Sequence, residues 1–135
     1  MTCFVSHTTI DCTDAYALSV WWQGVLGYVE DPDDPNEPGH EECLIADPQT
    51  GHTLLFIEVP DPTPGKNKFH LDLRPREASQ QEEVDRLLAY GATLSADLRG
   101  KYGPGTGWVT LADPEGNLFC VLKSEAERAA LKEGS

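Results

Sequence analysis

From Cys3 to Cys12 the side chains alternate. Phe4, Thr8, Ile10 and Cys12 fall on one face of an extended strand, and Val5, His7, Thr9 and Asp11 on the other. The first set suits burial beneath a helix, and the second places His7 at the centre of the opposite face. The period then changes. Leu18, Trp21, Trp22 and Val25 recur at i, i+3, i+4 and i+7, which predicts a helix capped by Thr13 or Asp14 and ended by Gly27 in the left-handed C′ position. At that spacing the tryptophans read as core rather than as a ligand-stacking pair. Two short strands follow, about Glu42–Ala46 and His52–Val59, joined by Asp47-Pro48-Gln49-Thr50-Gly51. Pro60, Pro62 and Pro64, with Asp61 and Gly65, mark a linker over about 60–66.

The same plan then starts again. Strand Lys68–Leu73 puts Lys68, His70 and Asp72 on one face and Phe69, Leu71 and Leu73 on the other. Ser79-Gln80-Gln81-Glu82 is a capping-box signature for a second helix, with a stripe of Val84, Leu87 and Leu88 and an end at Gly91. Ala92–Asp97 reads as a strand. Trp108–Ala112 and Asn117–Leu122 read as a hairpin turned by Asp113-Pro114-Glu115-Gly116. A terminal helix over about 124–133 carries its own Ser-x-x-Glu cap. Ala46-Asp47-Pro48-Gln49-Thr50-Gly51 matches Ala112-Asp113-Pro114-Glu115-Gly116 with one inserted residue, in the last hairpin of each half. The expectation is one α+β domain over 1–135. It holds two tandem βαβββ modules, about 1–60 and 67–123, with eight strands and two packed helices.

Charge divides the chain more sharply than its net −13 suggests. Residues 1–65 hold twelve Asp and Glu and no Lys or Arg, whereas residues 66–135 hold eleven acids and ten bases. Phosphate backbones would be repelled, so nucleic acid is excluded as a partner, while cationic small molecules would be attracted. No apolar run reaches the roughly 20 residues of a membrane span, and no signal peptide is visible, so a membrane role is not expected. Four separated cysteines without CxxC pairs read as reduced thiols of a cytoplasmic protein. Glu30–Glu42, with seven acids and three prolines, lacks the ligand spacing of an EF-hand and reads as a solvated loop. Arg99–Gly107 holds four glycines but leads into no helix, so it reads as a rim loop rather than a phosphate cradle.

His7-Thr8, Asp14-Ala15 and the helix end Trp21-Trp22-Gln23-Gly24-Val25-Leu26-Gly27 resemble the opening of the vicinal oxygen chelate superfamily. That group includes glyoxalase I, extradiol dioxygenases, fosfomycin-resistance and bleomycin-binding proteins. Asp113-Pro114-Glu115-Gly116-Asn117 is similar to its final hairpin. Lys66 to Leu73 and Phe119-Cys120-Val121-Leu122 resemble its bacterial glyoxalase-like domains. The resemblance implies a curved eight-stranded sheet around a cavity with the helices outside, and a homodimer. It implies metal ligands on the first, fifth and eighth strands, which fall on His7, His70 and Cys120. A glutamate is the family's eighth-strand ligand, so Cys120 is a departure. The fourth-strand carboxylate would be Glu58, but the repeat aligns Leu55 with Cys120, and Glu58 is then out of phase with the cavity face.

Two imidazoles and a carboxylate suit Fe(II), Mn(II) or Ni(II), whereas a thiolate in place of the carboxylate favours Zn(II) or copper. The resemblance thus implies a divalent-metal lyase, isomerase or dioxygenase acting on a small oxygenated compound. Asp72 or Thr9 would handle protons or orient a histidine, and Lys68 would pair with an anionic substrate. Trp108, Thr110 and Leu118 would contact the substrate. The alternative is a metal-free protein that sequesters a cationic small molecule or antibiotic, with Trp108 as a stacking surface.

Overall fold

A computed structural model describes residues 2–60 and 69–133; the linker beyond Pro60 and the expected substrate residue Lys68 lie outside the described residues. The chain divides into two compact units, Met1–Thr63 and Pro64–Ser135. The fold is α+β, with three helices and two mixed sheets of three and four strands among the described residues.

In the first unit, strand β1 (Thr8–Cys12) leads into helix α1 (Ala15–Leu26), followed by β2 (Glu42–Ala46) and β3 (Thr53–Glu58). Strand order is β1-β3-β2, parallel between β1 and β3 and antiparallel between β3 and β2. Helix α1 starts where Asp14 accepts a hydrogen bond from the Ala17 N–H and ends at Gly27, whose φ of 73° spares a side chain that conformation. Its stripe packs on β2 and β3, burying Leu18 and Trp22 against Cys43, Ile45, Leu54 and Phe56. Each fully buried Leu, Ile or Phe contributes roughly 1.5–3 kcal/mol relative to exposure. Trp21 meets Trp22 edge-on with centroids 5.2 Å apart, as core rather than ligand platform.

The fourth strand expected of this unit is reduced to a bridge between Val29 and Ala46. Pro32, Pro35 and Pro38 follow, and proline has no N–H to extend a ladder. Along the same edge of β2, the Asn36 side chain takes the place of a neighbouring strand. Its Nδ2 donates to the Leu44 carbonyl at 3.0 Å and its Oδ1 accepts from the Leu44 N–H at 3.3 Å.

The second unit holds β4 (Leu71–Leu73), α2 (Gln80–Ala89), β5 (Thr93–Asp97), β6 (Val109–Ala112), β7 (Leu118–Val121) and α3 (Glu125–Glu133), with strand order β4-β7-β6-β5. The strands therefore number seven among the described residues rather than eight. The capping box of α2 forms as expected, with Ser79 and Glu82 bonded reciprocally. Its buried face is Gln80, Val84 and Leu87, whereas Leu88 turns outward at 38% exposure. Gln80 is buried because its amide donates to the Val121 carbonyl at 2.9 Å. A second reciprocal box opens α3, where Glu127 accepts from Ser124 N–H and also from the Gln80 N–H at 2.8 Å. Burial pushes the Glu127 carboxyl up, but these hydrogen bonds outweigh it and hold the group below its usual range.

Both repeat hairpins turn on a buried aspartate. Asp47 accepts from the Gln49 N–H, and Asp113 accepts from Glu115 N–H, Asn117 N–H and the Asn117 side chain. The four cysteines, all among the described residues, form no disulfide. No helix among the described residues is long and apolar enough to cross a membrane.

Candidate functional site

The ladders decide which side chains meet. In the second unit β4 runs parallel to β7, with Asp72 opposite Cys120, and β7 runs antiparallel to β6, with Cys120 opposite Thr110. Paired residues share a face, so Asp72, Cys120 and Thr110 form one rung across three strands. Leu71, Leu73, Phe119, Val121, Val109 and Leu111 alternate with them, and Val109, Leu111, Phe119 and Val121 are buried in the core. His70 stands one residue before β4, in phase with Asp72.

On that face the His70 Nε2 lies 3.3 Å from Asp72 Oδ1. Ligand atoms of His70, Asp72 and Cys120 all lie within 4.8 Å of one another. Cys120 is buried to 6% exposure, while His70 and Asp72 are open to solvent. The Thr110 hydroxyl lies 3.5 Å from the Cys120 sulfur. Leu118 is half-buried on the same face, paired with Ala112. The carboxylate that accompanies His70 is thus Asp72, two residues along the chain, expected from sequence as a group that handles protons or orients a histidine and not as a metal ligand. Its alternation with Leu71 and Leu73 was the signal; its register against Cys120 was not visible.

Bond lengths of about 2.0–2.3 Å put the donors of a tetrahedral ion roughly 3.5 Å apart, so the His70–Asp72 spacing fits as it stands and Cys120 lies within a small side-chain adjustment. One imidazole, one carboxylate and one thiol form a set that Zn(II) accepts readily.

The first unit places its expected residues on matching positions. His7 stands one residue before β1, exposed, with Nδ1 3.0 Å from Ser6 Oγ. Thr9 is exposed in β1, opposite Leu55, which in turn lies opposite Leu44. Leu55 therefore occupies the rung position that Cys120 holds in the second unit. Glu58 lies on the other face, opposite Cys12 and in phase with Phe56, and its Oε2 accepts from the Ala15 N–H at 3.1 Å. It lies off the cavity-side face, as its phase predicted, and supports the start of α1. Buried Cys43 lies near it; burial, above all, pushes that thiol up.

Trp108, expected as a ligand-stacking surface, already carries a ring partner: Tyr102 stacks on it with centroids 5.7 Å apart and planes at 21°. The Tyr102 loop begins at Arg99, whose guanidinium lowers the Asp97 carboxyl to about 2 by donating to it.

Residues 7–122 match the glyoxalase-like domain family. A search of curated protein sequences returned no significant match. Among solved structures, a single-residue mutant of the fosfomycin resistance protein FosX from Listeria monocytogenes, complexed with Mn(II) and 1S,2S-dihydroxypropylphosphonic acid, is similar. Its TM-score is 0.67 at 19% identity, with 100% of each chain covered. A glyoxalase/bleomycin resistance protein/dioxygenase family enzyme from Burkholderia phytofirmans PsJN gives a TM-score of 0.63 at 23% identity, over 86% of this chain and 94% of its own. A possible glyoxalase from Bacillus cereus gives 0.64 at 16% identity, over 90% and 99%. The fold, the duplicated hairpins and the match over most of the sequence agree: the chain belongs to the glyoxalase-like domain family, within the vicinal oxygen chelate superfamily.

Proposed function

We propose that the chain is a metal-dependent protein of small-molecule chemistry, with His70, Asp72 and Cys120 as the metal-holding residues. The observation that carries this reading is the convergence of their three ligand atoms within 4.8 Å on the open face of the second sheet. A divalent ion held there supplies Lewis acidity, polarising a carbonyl or vicinal oxygens of a bound compound. The residues have divided tasks. Buried Cys120 anchors from the floor of the sheet, and the more exposed His70 and Asp72 leave the solvent side open for a ligand. Asp72 also orients the His70 ring through its contact with Nε2 when no ion intervenes. Thr110 and Leu118 border the position where the small molecule would lie.

His7 enters this proposal only through the resemblance; the geometry in its favour lies within the second unit. Thr9 as a proton-handling group, a lyase, isomerase or dioxygenase reaction, a homodimer and a cytoplasmic location belong to the same reading. The acidity of residues 1–65 favours a second one, metal-free sequestration of a cationic compound.

Metal analysis of protein purified without chelator separates the two. The expected result is near-stoichiometric transition metal, with Zn(II) binding restored to chelated protein in calorimetry. Protein that takes up none of Zn(II), Ni(II), Fe(II) or Mn(II), yet is stabilised against heat by cationic drugs in a salt-sensitive way, would establish sequestration instead.

A further inference from the structure

Resting on the metal reading above, we infer that Thr110 is a positioning residue for the Cys120 sulfur, donating a hydrogen bond to the metal-bound thiolate and so favouring a thiolate-accepting ion such as Zn(II). Cys120 is the middle of the rung, with Asp72 opposite on one side and Thr110 on the other. Its sulfur lies 3.5 Å from the Thr110 Oγ1, within the longer reach of hydrogen bonds to sulfur, and within 4.8 Å of the His70 and Asp72 ligand atoms. The sulfur is buried, so water is a poor substitute for this partner.

Either atom of the Thr110–Cys120 pair can donate while the sulfur is a thiol. Once the sulfur is a metal-bound thiolate it has no proton, and only the hydroxyl can. The Thr110 O–H rotor suits both states without moving a strand, because a hydroxyl both donates and accepts. A β-branched side chain is also stiff at χ1, which holds Oγ1 facing the neighbouring strand. The contact does two things. It restrains the Cys120 rotamer on the side from which the sulfur also reaches His70 and Asp72. It also withdraws electron density from the sulfur, which tunes the bond to the ion.

Thr110→Val keeps the shape and removes the hydroxyl, Thr110→Ser keeps the hydroxyl, and Thr110→Ala guards against a misfit of valine. The readouts are Zn(II) affinity by calorimetry and the thiolate-to-Co(II) charge-transfer band of cobalt-loaded protein. Loss of the hydrogen bond raises the energy of the sulfur lone pair, so the band moves to longer wavelength. The expected result is about a 10–100-fold loss of affinity in Thr110→Val and Thr110→Ala, the range for outer-sphere partners of metal ligands. The band should shift in both, and Thr110→Ser should restore band and affinity. The melting temperature of metal-free protein serves as the control for folding. Cobalt-loaded Thr110→Val and Thr110→Ala with wild-type band and affinity would overturn the role of Thr110 alone. A wild-type protein that binds no metal would overturn the metal reading, and this role with it.

Discussion

In each unit a histidine stands one residue ahead of the first strand, and that strand runs parallel to the last: His7 before β1 against β3, His70 before β4 against β7. Both last hairpins turn on a buried aspartate, and the burial pattern beneath the helices is equivalent. Besides the shorter first sheet, the units differ at the rung in front of the histidine. It reads Thr9–Leu55–Leu44 in the first unit and Asp72–Cys120–Thr110 in the second. The core side of a half-buried sheet sets the fold, and the other side is free to vary. Duplication supplied two equivalent platforms, and the donor set was found on one of them among the described residues.

Removing donors is the most severe way to probe that difference. His70→Ala, Asp72→Asn and Cys120→Ser should each reduce Zn(II) affinity by more than the about 10–100-fold typical of outer-sphere partners. Calorimetry on folded, chelated protein reads this directly, and three variants with undiminished affinity would dissolve the distinction between the units. The converse experiment builds the rung where it is missing. Thr9→Asp combined with Leu55→Cys gives His7 the neighbours that His70 has, and the expected outcome is a second, weaker equivalent of bound metal. Unchanged stoichiometry would mean that the rung is not sufficient.

Smaller effects test where the units are alike. Asp113 accepts bonds from two backbone N–H groups and the Asn117 side chain, and Asp47 accepts from the Gln49 N–H. Asp113→Ala should cost about 2–3 kcal/mol in urea unfolding. A loss below about 1 kcal/mol would show that water replaces these bonds. Least of all, Glu58→Gln should lower stability by about 0.5–1 kcal/mol by weakening the start of α1, and leave metal uptake as it was. A loss of metal would return Glu58 to the ligand set.

Much of this was legible along the chain because it is local. The helix periods, the Ser79 and Ser124 boxes, Gly27 and the paired Asp-Pro turns depend on residues a few positions apart. The phase that removed Glu58 from the cavity face is equally local. The role of Asp72 beside Cys120 was not, because a parallel register between segments almost fifty residues apart leaves no trace in either one. The family pattern places a glutamate on the last strand, whereas the carboxylate beside Cys120 here is Asp72 on β4. The shortened first sheet was hidden for a different reason: the repeat predicts a strand after α1, but three prolines within a dozen residues override it. Leu88 fits a helical stripe as well as Leu87, and only the extent of the underlying sheet decides which is covered.

One small arrangement bears on how the protein behaves at high concentration. An open strand edge is a template on which another chain can polymerise, and nature blunts such edges with charge, proline or cover. Here the Asn36 amide already occupies the outward donor and acceptor of Leu44, and the Val29 bridge occupies those of Ala46. An incoming strand would have to displace a fitted partner at Leu44 and again at Ala46, which disfavours pairing along that part of the β2 margin. The segment that broke the fourth strand thereby covers part of the edge that strand would have taken.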